Sequence, residues 1–154
     1  MIRLLICDDS VAFRTVLRHT LAAQPEITVL GEAGDGREAV DLALALSPDV
    51  ILMDVRMPTL DGVEATREIT AALPEARVVA LTGHGDRMMA AAMLKAGAIS
   101  YCVKGAPLWE IERAVAEAVL DDPRPALDGR LQRGSDRGPS AATRGLRDDA
   151  GRDA

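Results

Sequence analysis

Apolar residues along the chain fall into two alternating rhythms. Short, near-continuous apolar runs occupy 2–7 (IRLLIC), 27–33 (ITVLGEA), 50–53 (VILM), 77–82 (RVVALT) and 99–103 (ISYCV). Between them lie longer stretches, at 10–23, 34–46, 62–72, 86–97 and 107–120, whose apolar residues recur at helical spacing. The first kind predicts strands covered on both faces, and the second predicts amphipathic helices. In 10–23, Phe13, Val16, Leu17, Thr20 and Leu21 form the expected core stripe behind Ser10, a natural N-cap. Val11, Arg14, Thr15 and Arg18 fall off that stripe. Ser47-Pro48 stops the second helix, while Asp86 and Gly97 bound the fourth and Pro107 opens the last. Met88, Met89 and Met93 read as core filler of the fourth helix. Leu108, Ile111, Val115 and Val119 read as the core seam of the last, with Trp109 partly exposed.

Five strand-then-helix units in about 120 residues predict an α/β domain with a doubly wound parallel sheet and helices on both faces. In such folds sites lie beyond the carboxyl ends of the strands. After Leu120 the pattern stops. Residues 121–154 hold seven Arg and seven Asp, with Leu127, Leu131 and Leu146 as the only large apolar side chains. So little apolar surface cannot offset roughly 1–2 kcal/mol per residue of backbone ordering, and a disordered tail is expected there. The division is therefore a domain at 1–120 and a tail at 121–154.

Composition narrows the classes. The hydrophobic share is 48%, yet Phe, Tyr and Trp occur once each, so the core is aliphatic. A net charge of −6 argues against a broad nucleic-acid surface, and no apolar run reaches the length of a membrane span. The N-terminus shows no cleavage pattern and reads as mature protein. Cys7 and Cys102 both lie in strand-like runs and are expected as buried free thiols of a cytoplasmic protein, not as a disulfide.

The strand ends carry the chemistry. Asp8 and Asp9 follow the first strand, Asp54 ends the third, Thr82 ends the fourth and Lys104 follows the fifth, which contains Tyr101. Parallel strands place all of these on one edge. Three carboxylates together repel, so one takes a proton or a cation sits among them. An all-oxygen cluster suits a hard divalent ion such as Mg²⁺. Lys104 and Thr82 fit an arriving phosphoryl group, and Asp54 is the natural nucleophile.

The spaced motifs CDDS (7–10), MDVRMPTLDG (53–62), ALTGHGD (80–86) and SYCVKGA (100–106) resemble the receiver domain of two-component response regulators, over about residues 1–120. The segment from Leu81 to Ala106 most resembles receivers of the NarL type. The resemblance implies a flavodoxin-like fold with strand order 2-1-3-4-5 and five helices. It implies that Asp54 accepts a phosphoryl group from a sensor histidine kinase. It implies a Mg²⁺ site made by Asp9 directly, Asp8 through water, Asp54 and the Arg56 backbone carbonyl. Thr82 and Tyr101 become a switch pair, and Lys104, Thr82 and Gly83 surround the phosphoryl group, with Gly83 leaving it open. Kinases dock on the first helix in that family. The face formed by 77–82, 86–97, 99–103 and 107–120 would carry output, with a possible homodimer through 86–97, 99–103 and 107–120. Gly105 departs from the family's usual proline after the lysine. No DNA-binding pattern is seen in 121–154, so a stand-alone receiver or a truncated regulator is expected.

An alternative from another class is a Mg²⁺-dependent phosphatase-like enzyme working through Asp54. Such enzymes need a second acid two residues after the nucleophile, and that position is Arg56. Few aromatics argue against a flavin-type cofactor binder. His84 lies near the site but in no kinase-like helix and is not the phosphoacceptor.

Overall fold

A computed structural model of the chain describes residues 1–120; the expected tail at 121–154 lies outside the described residues. The elements run β1 (Ile2–Cys7), α1 (Val11–Ala22), β2 (Ile27–Ala33), α2 (Gly36–Leu46), β3 (Val50–Asp54), α3 (Gly62–Ala72), β4 (Arg77–Thr82), α4 (Arg87–Ala96), β5 (Ser100–Val103) and α5 (Leu108–Leu120). The strands form one parallel sheet in the order β2-β1-β3-β4-β5.

Alternation along the central strands feeds two cores. Leu5, Cys7, Ile51, Met53, Val78 and Ala80 point to the face covered by α2, α3 and α4. Leu4, Ile6, Val50, Leu52, Val79 and Leu81 point to the face covered by α1 and α5. Both faces are dry, which is why these strands read as continuous apolar runs. Each fully buried Leu or Ile contributes about 1.5–3 kcal/mol relative to exposure. The edge strand β2 is only partly buried over Val29–Glu32, and its sequence is correspondingly mixed.

Four helices start on a side-chain cap. Ser10, Asp35, Asp61 and Asp86 accept from the backbone N–H of Phe13, Glu38, Glu64 and Met89 at 3.2, 2.8, 2.9 and 3.3 Å. Each cap satisfies a donor that the helix cannot, at about 1 kcal/mol. Asp35 has a reciprocal partner, since Glu38 accepts from the Gly34 N–H.

The structure differs from the sequence reading in a few places. Val16 is 47% exposed, because the α1 seam narrows to Leu17 and Leu21 with Phe13 half-buried beside them. Met88 is 82% exposed, whereas Met93 is fully buried and Met89 packs partly buried against the core, so two of the three methionines of α4 serve it. Ala118 takes a place in the α5 seam, and Leu108 and Val119 pack only partly. Strand β3 runs one residue further than its apolar run, since Asp54 continues the register against Leu81.

Two glycines let backbone approach backbone at the site end of the sheet. A Cβ on Gly62 would lie 1.9 Å from the Asp54 carbonyl oxygen, and one on Gly36 would lie 1.8 Å from that of Leu60. The start of α3 is thus pressed against the end of β3. Among the described residues, no helix is long and apolar enough to cross a membrane. Gly62→Ala is expected to cost at least about 2 kcal/mol in urea unfolding, because the obstruction is backbone. Gly105→Ala, where a Cβ meets nothing within 4 Å, should stay within about 0.5 kcal/mol of wild type.

Candidate functional site

The site is assembled by the ends of β1, β3, β4 and β5. Asp8 leaves β1 by extending the ladder with β2, its N–H donating to Ala33 O at 3.0 Å. Its side chain is fully buried; Oδ1 accepts from the Ser10 N–H at 2.8 Å. Asp9, one residue on, is exposed. Asp54 ends β3 and is 5% exposed, with Oδ1 accepting from the Arg56 N–H at 3.4 Å. Lys104 follows β5, where its own N–H donates to Thr82 O at 2.9 Å. That bond fixes where the side chain starts. Its ammonium reaches Asp8 Oδ2 at 2.6 Å and Asp54 Oδ2 at 3.1 Å.

Asp8, Asp9 and Asp54 each offer a carboxylate oxygen, and these oxygens lie within 4.8 Å of one another. The predicted gathering of three acids and one lysine is therefore observed. Three carboxylates against one ammonium leave two negative charges in a largely buried space. Burial, and then the charge of Asp8, raise the Asp54 carboxyl to about 6, although Lys104 pulls the other way. Burial acts to lower the Lys104 ammonium, but its hydrogen bond to Asp8 and the charges of Asp54 and Asp8 win and raise it. Asp8 Oδ2 is buried, and the Lys104 ammonium at 2.6 Å is its partner. An all-oxygen donor set with spare negative charge fits a hard divalent cation.

Thr82 is buried, and its hydroxyl donates to Cys102 O at 3.4 Å, toward β5. Tyr101 is 44% exposed on β5. Gly83 lies in open space, as does Gly105; no cis peptide occurs among the described residues. The Arg56 guanidinium reaches Asp86 at 3.4 Å, linking the loop after β3 to the cap of α4. A cleft of about 850 Å³ opens beside that loop, lined by Asp9, Met57, Pro58, Val63, Glu64 and Met89 among others. His84 is exposed in the loop after β4.

Two supporting residues escaped the sequence reading. Arg14 is expected off the core stripe, on the helix where kinases dock in the family. It lies outside both hydrophobic cores, and its Nη1 donates to the Asp8 carbonyl at 2.6 Å and its Nε to Glu32 Oε1 at 3.3 Å, so it braces the loop after β1. Phe13, read as core filler, also places its ring under the Lys104 ammonium, 5.1 Å from the centroid. Both lie in the opening turns of α1 behind CDDS, and that proximity in sequence was the available signal. Cys7 and Cys102 are free and buried on opposite faces of the sheet, as expected for unpaired thiols. Burial pushes the Cys102 thiol up to about 11 and that of Cys7 higher still.

A five-stranded parallel sheet in this order, with an acidic cluster and a lysine at its carboxyl edge, is the arrangement of a signalling receiver domain. The family model described as the response regulator receiver domain matches residues 4–116, and the chain belongs to that family. It is 44% identical over 124 residues to the transcriptional regulatory protein LiaR of Bacillus subtilis, covering 80% of this chain and 59% of the relative. It is 41% identical over 115 residues to the response regulator GacA of Pseudomonas viridiflava, covering 75% and 54%. The chain thus spans little more than half the length of these relatives. The response regulator domain of Thermotoga maritima CheB superposes with a TM-score of 0.73 at 33% identity, covering 80% of this chain and 99% of that one. The signal receiver domain of NarL from Mycobacterium tuberculosis does so with 0.73 at 31%, covering 79% and 98%. The NarL-type resemblance agrees with these neighbours. The phosphatase-like alternative gains no support from them, and the side chain of Arg56 supplies no general acid.

The raised Asp54 carboxyl has a thermodynamic consequence. Its folded-state value of about 6 exceeds its ordinary 3.8, so the native state binds a proton more tightly than the unfolded chain. Its charge therefore opposes folding above that window, by roughly 3 kcal/mol at most, and the penalty fades as pH falls from about 6 toward 4. In chelator at pH 7, Asp54→Asn should be more stable than wild type by about 2 kcal/mol in urea unfolding, and the gap should close near pH 4. Equal stability at pH 7 would show that the native fold does not penalise this charge.

Proposed function

We propose that the chain is a phosphoacceptor of a two-component system, with Asp54 as the residue phosphorylated by a sensor histidine kinase. The observation that carries this reading is the Lys104 ammonium, 2.6 Å from Asp8 and 3.1 Å from Asp54. A lysine confined between two buried acids at a strand edge has little structural value there, since an apolar pair would serve the fold as well. It has value if an anion arrives.

In this reading an Asp54 carboxylate oxygen attacks phosphorus as the bond from phosphorus to the donor nitrogen breaks. The leaving imidazole keeps the electron pair and takes up a proton. Lys104 then holds a phosphoryl oxygen, as does Thr82 once its hydroxyl leaves the Cys102 carbonyl. Asp9, Asp54 and the Arg56 carbonyl would hold Mg²⁺, with Asp8 acting through water. The metal supplies charge neutralisation on the phosphoryl oxygens. Gly83 admits water or a partner to the group. The movement of Thr82 toward the site makes room for the Tyr101 ring, and the α4-β5-α5 face changes shape. Output goes through protein contacts on that face, including a homodimer, and the chain acts in the cytoplasm. The transcriptional regulators it resembles suggest that the wider pathway ends in gene control.

Intact mass after incubation with acetyl phosphate tests the reading. Wild type with Mg²⁺ should gain one phosphoryl group; Asp54→Asn, or wild type in chelator, should gain none. Labelling retained in Asp54→Asn would remove Asp54 from the role. Asp9→Ala should raise the Mg²⁺ concentration for half-maximal phosphorylation by on the order of ten-fold or more. An unchanged requirement would take Asp9 out of the metal site.

A further inference from the structure

Lys104 has three ammonium protons and three close neighbours. Two are the carboxylates of Asp8 and Asp54, and the third is the Phe13 ring, whose centroid lies 5.1 Å from Nζ. The face of an aromatic ring is the negative lobe of its quadrupole and attracts a cation within about 6 Å. Phe13 sits in the first turn of α1, where its N–H donates to the Ser10 cap, and its ring packs against the core shared with α5. Its position is therefore fixed by backbone and core alike. Among the described residues the other cation–ring contact, Arg113 over Trp109, belongs to α5 alone.

We propose that Phe13 is a positioning residue for phosphotransfer, holding the Lys104 ammonium by its ring face while the charge around that ammonium changes. The proposal rests on the phosphotransfer reading above. Before reaction, two carboxylates hold the ammonium. When the Asp54 oxygen bonds to phosphorus it becomes the bridging oxygen of an acyl phosphate and the carboxylate charge is lost, so one anchor weakens. The ammonium must then follow the phosphoryl oxygens, although Asp8, 2.6 Å away, competes for it. A ring face suits the third position because it is neutral and does not titrate. A third carboxylate would hold the ammonium too tightly and repel the phosphoryl group. An aliphatic side chain would fill the volume and leave the ammonium free on that side.

The chain has only two lysines, Lys95 and Lys104, so isotope-labelled lysine gives two readily assigned side-chain NMR signals. The Lys104 ε-methylene signal should be shifted upfield by the ring in wild type and Phe13→Tyr, and should return toward the Lys95 value in Phe13→Leu. An unchanged Lys95 signal reports an intact fold. Acetyl phosphate kinetics are then measured on all three proteins at saturating Mg²⁺. Phe13→Leu should lower the maximal rate about five-fold, the effect of a cation–π contact near 1 kcal/mol, with the half-saturating donor concentration unchanged. Phe13→Tyr should recover most of the rate. A wild-type rate in Phe13→Leu overturns the proposal. So does a Phe13→Tyr variant as slow as Phe13→Leu, or a change confined to the half-saturating concentration. If wild type itself gains no phosphoryl group, the functional reading fails and takes the positioning role with it, a result read from the wild-type mass alone.

Discussion

Everything at the working end of this molecule answers to one electrostatic constraint. Three carboxylate oxygens lie within 4.8 Å, and one ammonium stands against them. Left in water, such groups would separate. Here Asp8 is fully buried and Asp54 nearly so, and burial, followed by the charge of Asp8, raises the Asp54 carboxyl. The unbalanced charge makes the site receptive to a divalent cation, and Lys104 makes it receptive to an anion. A receiver needs both tendencies at one point.

Holding like charges together requires a stiff frame, and the parallel sheet provides one. The central strands are covered on both faces, so their ends cannot drift apart without opening two cores. The connecting loops are tied at the backbone as well. Lys104 N–H bonds to Thr82 O, Asp8 N–H bonds to Ala33 O, and Gly62 allows α3 to sit against the Asp54 carbonyl. Arg14 braces the Asp8 loop from α1. Around Gly83 and Gly105 the frame is open instead. Rigid mounts beneath an open mouth suit a group that must arrive, act and leave.

Much of this was legible in the chain itself. Strand–helix alternation located all ten elements nearly to the residue, because the two periodicities are so distinct. The doubly wound parallel sheet followed from the pattern, and the strand order from the family resemblance. Asp8, Asp9, Asp54, Thr82 and Lys104 were found from their places at strand ends, since parallel strands send such residues to one edge. What failed were judgements of exposure. Val16 and Met88 are apolar residues at plausible helical positions that turn outward, because the rotation of α1 and α4 about their axes is decided by the sheet beneath.

Arg14 and Phe13 show the same division on a finer scale. Their types and positions on the first helix were plain from the letters. That Arg14 would reach back to the Asp8 carbonyl, and that the Phe13 ring would lie beneath an ammonium 91 positions away, were not. Local order depends on short-range periodicity, caps and turns, which a linear string records completely. Contacts between α1 and the loop after β5 depend on how both pack across the sheet, and only the closed three-dimensional chain settles that geometry.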